Sequence, residues 1–77
     1  MSDELARERA TLIRADRDIE QGRARVLRQE EIVNDLIAKA EPIEDAQNLL
    51  GILRDTLSQW EAHRTQIIER IAYLEQG

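Results

Sequence analysis

His63 is the only histidine of the chain and the first residue to test for metal or acid–base chemistry. A metal site needs several ligands that converge on one point. Di-iron helical bundles provide them with a Glu-x-x-His spacing, but the residue three positions before His63 is Trp60. Glu61 is two residues from His63 and would point to another side of a helix. Glu20 could face His63 if the chain folds back as a hairpin, but this would give at most one hydrogen-bonded pair. We therefore predict no catalytic residue, no metal and no cofactor, and interpret His63 as a structural or surface side chain.

Other sequence patterns that carry catalysis are also missing. The 77 residues contain no cysteine, no Ser-His-Asp arrangement and no glycine-rich phosphate loop. Charged residues make up 35% of the chain and aromatic residues 3%, a composition typical of long helices or coiled coils. No apolar run approaches the length of a signal peptide or a membrane span. The sequence predicts a non-enzymatic, cytoplasmic protein that is small enough to need oligomerisation for stability.

The arginines of the N-terminal part form the second group with a chemistry of its own. Residues 1–28 hold seven arginines against six acidic residues, whereas residues 29–77 hold four basic residues against ten acidic ones. Together with Gln21, four arginines form a row at helical spacing that could meet phosphates: Arg14, Arg17, Arg25 and Arg28. Asp18 lies beside the row, no aromatic residue offers base stacking there, and the net charge is −5. A solvated face is the preferred interpretation, and binding of structured RNA is the alternative.

A seven-residue repeat predicts one long helix over about residues 3–40. Its a and d positions form a largely apolar stripe: Leu5, Leu12, Ala15, Ile19, Gly22, Val26, Gln29, Val33, Leu36 and Ala40. Further apolar residues beside the stripe predict a face wide enough for more than one neighbouring helix: Ile13, Leu27, Ile32 and Ile37. Ser2 would cap the N-terminus of this helix.

Pro42 marks the break between this helix and a second one. Proline lacks a backbone N–H and is favoured at the first position of a helix. We therefore predict a turn at about residues 40–43 and a second helix over about residues 43–75. The second stripe steps by four and three: Ala46, Leu50, Leu53, Leu57, Trp60, Arg64, Ile67, Ile71 and Leu74. It is widened by Leu49, Ile52 and Ile68, and the short connection predicts antiparallel neighbours.

Folding this hairpin at Pro42 sets residues opposite each other where their numbers sum to about 83. The largest side chain, Trp60, then faces Gly22, a stripe position without a side chain. This register explains why a helix-weakening glycine stands there, since a larger residue would overfill the interior. A helix kink at Gly22 is the alternative.

Two polar residues interrupt the stripes. Gln29 either fixes the register of the helices or lies at the edge of the stripe. For Arg64 we favour a packed stem with the charged head in water, and Asp18 and Glu20 are within reach of that head.

The spacing of these residues resembles that of short, uncharacterised proteobacterial helical-hairpin proteins. In the first helix the matching run is Ile19, Gly22, Val26, Gln29, Val33 and Leu36. The resemblance covers roughly residues 19–68. After the turn, the matching residues are Ala46, Leu49, Leu50, Leu53, Leu57, His63 and Arg64. That family starts its second helix with Asp-Thr where this chain has Pro42 and Ile43, which changes the capping chemistry. The resemblance implies the hairpin fold and a bacterial source, and it implies no activity.

These patterns predict an all-α fold: an antiparallel two-helix hairpin that forms one domain over residues 1–77 and pairs with itself into a four-helix bundle. The predicted function is that of a non-enzymatic interaction module, with a homodimer as the preferred assembly and no membrane partner. The alternatives are a small RNA-binding regulator that uses the arginine row and a helical subunit of a hetero-complex. The residues expected to pack the seam and the interface are Leu12, Ile19, Gly22, Val26, Val33, Leu50, Leu53, Leu57, Trp60, Ile67 and Ile71.

Overall fold

The computed structural model describes residues 3–77, which form two long α-helices. Helix α1 spans Asp3–Ala38 and helix α2 spans Glu44–Gln76. The two helices pack against each other in an antiparallel hairpin that is 59 Å long. The prediction of a helical fold built from two packed helices is confirmed. Ser2, the predicted cap of α1, lies outside the described residues.

The chain leaves α1 through a left-handed residue, Ala40, which has a φ of 55°. Two backbone hydrogen bonds close the turn: the Glu41 N–H donates to the Leu36 carbonyl at 2.9 Å, and the Ala40 N–H donates to the Ile37 carbonyl at 3.1 Å. This pair of bonds is a Schellman motif, in which glycine is the usual left-handed residue. As a result α1 ends at Ala38, before the predicted end near residue 40, and Ala40 belongs to the turn instead of the apolar stripe.

Helix α2 begins two residues after Pro42 and does not include the proline, contrary to the expectation that Pro42 is its first residue. Ile43 occupies the N-cap position, and its carbonyl accepts a hydrogen bond from the Gln47 N–H at 2.8 Å. Glu44 and Asp45 lie in the first turn, where the helix dipole favours negative charge. The predicted span of residues 43–75 is therefore displaced by one residue at each end.

The two stripes meet in a single seam between the helices. Its buried residues are Ile19, Gly22, Gln29 and Val33 of α1 and Leu50 and Ile67 of α2. The other residues expected in the seam are partly buried: Leu12, Val26, Leu53, Leu57, Trp60 and Ile71. Because each helix has only one neighbour, the seam covers one side of each helix and leaves two flanks open.

Candidate functional site

Gly22 and Trp60 form the centre of the seam. A Cβ placed on Gly22 would lie 3.3 Å from Cδ1 of Leu57 and 3.3 Å from Cζ3 of Trp60. These distances are shorter than ordinary van der Waals contact, so the two side chains fill the space next to the Gly22 backbone. The structure thus places Trp60 opposite Gly22, in agreement with the predicted register, and α1 continues as a helix through this position.

Gln29 is a polar residue that the seam buries, with 7% of its surface exposed. Its Nε2 donates a hydrogen bond to the carbonyl oxygen of Ala46 at 2.9 Å, in the first turn of α2. The interpretation of Gln29 as an edge residue is therefore wrong. A buried amide that bonds to the backbone of the opposite helix is satisfied in one alignment of the two helices, which suits a residue that fixes register.

Of the five cross-helix ion pairs within residues 3–77, Arg70–Glu8 lies on one flank of the seam and the other four lie on the opposite flank, here called the ion-pair flank. It consists of two rows with seven-residue spacing: Arg9, Asp16, Arg23 and Glu30 on α1, and Arg54, Glu61, Ile68 and Glu75 on α2. The cross-helix distances are 2.8 Å for Arg9–Glu75, 3.1 Å for Arg23–Glu61 and 2.6 Å for Arg54–Glu30. These side chains are about half exposed, so each pair contributes at most about 1 kcal/mol.

Arg64 also reaches this flank, where its Nε bonds to the carboxylate of Asp16. The sequence placed Asp18 and Glu20 within reach of Arg64, and among the described residues neither forms an ion pair with it. Asp18 lies two residues beyond Asp16 and so points to another side of α1. The Arg64 side chain is 41% exposed, as expected for a packed stem with its head at the surface.

A shallow charged groove lies at the middle of the ion-pair flank. It is lined by Asp16, Ile19, Glu20, Arg23, Glu61, Arg64 and Thr65. Its two arginines are both engaged by carboxylates, Arg23 by Glu61 and Arg64 by Asp16. The groove therefore offers paired charges to a ligand, and its lining contains no imidazole or thiol.

Large apolar side chains remain exposed on both flanks of the hairpin. The exposed fractions are 56% for Ile13, 61% for Leu27, 40% for Ile32, 56% for Ile37, 45% for Leu49, 61% for Ile52 and 39% for Ile68. These are the residues that sequence spacing assigned to a widened apolar face. The hairpin alone does not cover them, because the apolar contact between its two helices follows the a and d stripes.

The four arginines of the row are all exposed on α1. Arg14 donates a hydrogen bond to Oγ1 of Thr11 at 3.2 Å. Within residues 3–77, none of Arg14, Arg17, Arg25 and Arg28 forms an ion pair, whereas Arg9, Arg23, Arg54, Arg64 and Arg70 each do. The charges of the row are therefore directed to solvent. Sequence reasoning located the row but did not separate these arginines from the paired ones, because the pairing depends on the opposite helix.

His63 is exposed on α2. The hydrogen-bonded pair with Glu20 that the hairpin could allow is not formed among the described residues, and Glu20 lines the charged groove. In the part of the chain that the structure describes, no group of three or more His, Asp or Glu side chains is placed to hold a metal ion.

Within residues 3–77, neither helix combines the length and the apolar character needed to cross a membrane. No family model, curated protein or solved structure matches the chain. The resemblance to proteobacterial hairpin proteins therefore stays a prediction, and a function has to be argued from the geometry of the hairpin.

Proposed function

We propose that this chain is a non-enzymatic protein-interaction module whose hairpins pair with each other into a four-helix bundle. The observation that carries the proposal is the exposure of large apolar side chains on a hairpin with a single seam. Ile13, Leu27 and Ile52 are each more than half exposed, whereas the buried apolar side chains are Ile19, Val33, Leu50 and Ile67.

The free energy available from covering these side chains supports the proposal. Full burial of a large aliphatic side chain is worth about 1.5–3 kcal/mol, and a chain of this size is marginally stable with its own core alone. In a four-helix bundle each helix packs against two neighbours, which covers one flank as well as the seam. A second copy of the chain supplies apolar side chains at matching positions.

The proposal is tested by the dependence of stability on protein concentration. Because association stabilises the folded state by mass action, the midpoint of thermal unfolding, followed by circular dichroism, should rise as the protein concentration is raised. A midpoint that stays constant from micromolar to millimolar protein contradicts self-pairing. A constant midpoint in a chain that still exposes apolar surface would favour the alternative function, in which the chain is a subunit that requires a different helical partner.

A second candidate function, binding of structured RNA, is favoured by the arginine row that faces solvent. Arg17→Ala combined with Arg25→Ala should then weaken RNA binding across sequences and reduce its dependence on salt. The matched control is Arg9→Ala combined with Arg23→Ala, which removes two arginines that carboxylates of α2 already neutralise. If the wild-type chain binds no structured RNA at low salt, this candidate is excluded.

A further inference from the structure

We propose that two hairpins pair through the ion-pair flank, with their turns at opposite ends of the bundle. The inference rests on the proposed self-association, to which it adds the surface and the direction of pairing. It is carried by the charge along the hairpin and by the positions of four exposed apolar side chains.

The negative charge of the chain is concentrated at the turn end of the hairpin. Residues 29–55 hold seven carboxylates and two basic side chains, a net charge of −5, whereas the charges of the other residues cancel. If two copies paired with their turns at the same end, their acidic ends would lie at the separation of packed helices, about 8–10 Å. At this distance salt screens the repulsion between the carboxylates only partly. With the turns at opposite ends, each acidic end lies beside a neutral open end instead.

Four exposed apolar residues lie on the ion-pair flank: Ile13, Leu27, Ile37 and Ile68. Ile13 and Leu27 each follow a member of the α1 row by four residues and precede the next member by three. Residues at these spacings share one side of a helix. Ile37 continues the α1 row seven residues after Glu30, and Ile68 is a member of the α2 row. All four side chains are therefore available on the same flank.

The positions of Ile13 and Leu27 suit a two-fold axis. Each lies seven residues from Glu20, close to the midpoint of α1. Two α1 helices that run antiparallel and cross at Glu20 bring Ile13 of one copy beside Leu27 of the other, and the axis repeats this contact. The two Glu20 carboxylates then meet near the axis, with Arg23 of each copy one helical turn away.

The opposite flank carries its own exposed apolar residues, Ile32, Leu49 and Ile52, but its charges fit this pairing less well. Arg14, Arg25 and Arg28 each lie two residues from a member of the α1 row, so they point away from the ion-pair flank. If two α1 helices crossed at the same height on this opposite flank, Arg14 of one copy would lie beside Arg25 of the other. Within the described residues neither arginine has a carboxylate partner. On the ion-pair flank the arginines are neutralised within each hairpin, which lowers the cost of covering them.

The direction of pairing is tested by a distance between two copies in the full-length chain. The chain has no cysteine, so Glu41→Cys gives a unique site in the turn for a spin label. Pulsed electron double resonance should give a distance near the 59 Å length of the hairpin. In a mixture of Glu41→Cys and Gln76→Cys chains, a second, short distance should appear between the label at residue 41 of one copy and the label at residue 76 of the other. A distance of about 10–20 Å for Glu41→Cys alone, the spacing of neighbouring helices plus the labels, would overturn the arrangement while leaving self-association intact.

The surface of pairing is tested by two substitutions with equal starting exposure. Leu27 lies on the ion-pair flank and Ile52 on the other, and each is 61% exposed. Leu27→Glu should raise the dimer Kd at least about tenfold, whereas Ile52→Glu should change it less than about twofold. A larger loss with Ile52→Glu would overturn the assignment of the flank. A wild-type chain that forms no dimer at all would overturn the proposed function together with this inference.

Discussion

Trp60 lies against Gly22 so closely that a Cβ on the glycine would be 3.3 Å from Cζ3 of the indole. Glycine in a helix interior costs about 1 kcal/mol relative to alanine. At this position the cost is offset by the packing of the indole and of Leu57, whose Cδ1 would be equally close to the same Cβ. The contact fixes the alignment of the two helices at the middle of the hairpin.

Replacement of glycine by alanine should separate helix propensity from packing. Nothing lies within 4 Å of a Cβ built on Gly51, so Gly51→Ala should raise the free energy of unfolding by about 1 kcal/mol. Gly22→Ala has the same gain in propensity but must push Leu57 or Trp60 aside, so its gain should be clearly smaller. Chemical denaturation of both variants checks this difference. Equal gains would show that the space at Gly22 is not limiting.

A double-mutant cycle tests whether Gly22 and Trp60 share one space. Gly22→Leu places a large side chain where Trp60 leaves no room and should lower the free energy of unfolding by about 1–3 kcal/mol. In the background of Trp60→Ala the same substitution should cost less, because the leucine can enter the space of the indole. The coupling, measured by denaturation of all four chains, should exceed about 0.5 kcal/mol. Simple additivity would contradict the contact.

Ala40→Gly should stabilise the protein. Ala40 has a φ of 55° in the Schellman motif, and a residue with a Cβ pays about 1–2 kcal/mol in the left-handed region. Relief of this strain should outweigh the greater flexibility of glycine in the unfolded chain, for a net gain of about 0.5–1 kcal/mol. Ala24→Gly is the matched control in the interior of α1, and it should instead destabilise by about 1 kcal/mol. A loss of stability in both variants would mean that the turn does not require the left-handed conformation.

Gln29→Glu should destabilise the hairpin by about 1–3 kcal/mol. The carboxylate cannot donate to the Ala46 carbonyl that Nε2 of Gln29 now contacts at 2.9 Å, and it leaves a charge in a buried position. Gln66→Glu is the control, because Gln66 is exposed and the same change there should stay within about 0.5 kcal/mol. Thermal unfolding near neutral pH distinguishes the two variants, and similar effects at both sites would contradict a structural role for the Gln29 hydrogen bond.

The periodic parts of the hairpin were predictable, because the helix repeat and the short turn determine which residues can face each other. The position of Trp60 against Gly22 follows from that register. The end of α1 was less predictable, since Ala40 takes a left-handed conformation that sequence patterns assign to glycine. The partner of Arg64 was also missed, because Asp16 and Asp18 differ only in the side of α1 on which they lie. Whether Ile13 and Leu27 are covered depends on a second molecule, which spacing within one chain does not reveal.

Sedimentation equilibrium over a wide range of concentrations is the most direct measurement of the proposed pairing. The chain has a mass of 8.9 kDa. We expect the apparent mass to approach twice this value as the concentration rises, and to fall toward the monomer value on dilution. A mass that remains that of one chain up to millimolar concentration, with helix content and cooperative unfolding intact, would contradict the account of this protein as a self-associating hairpin.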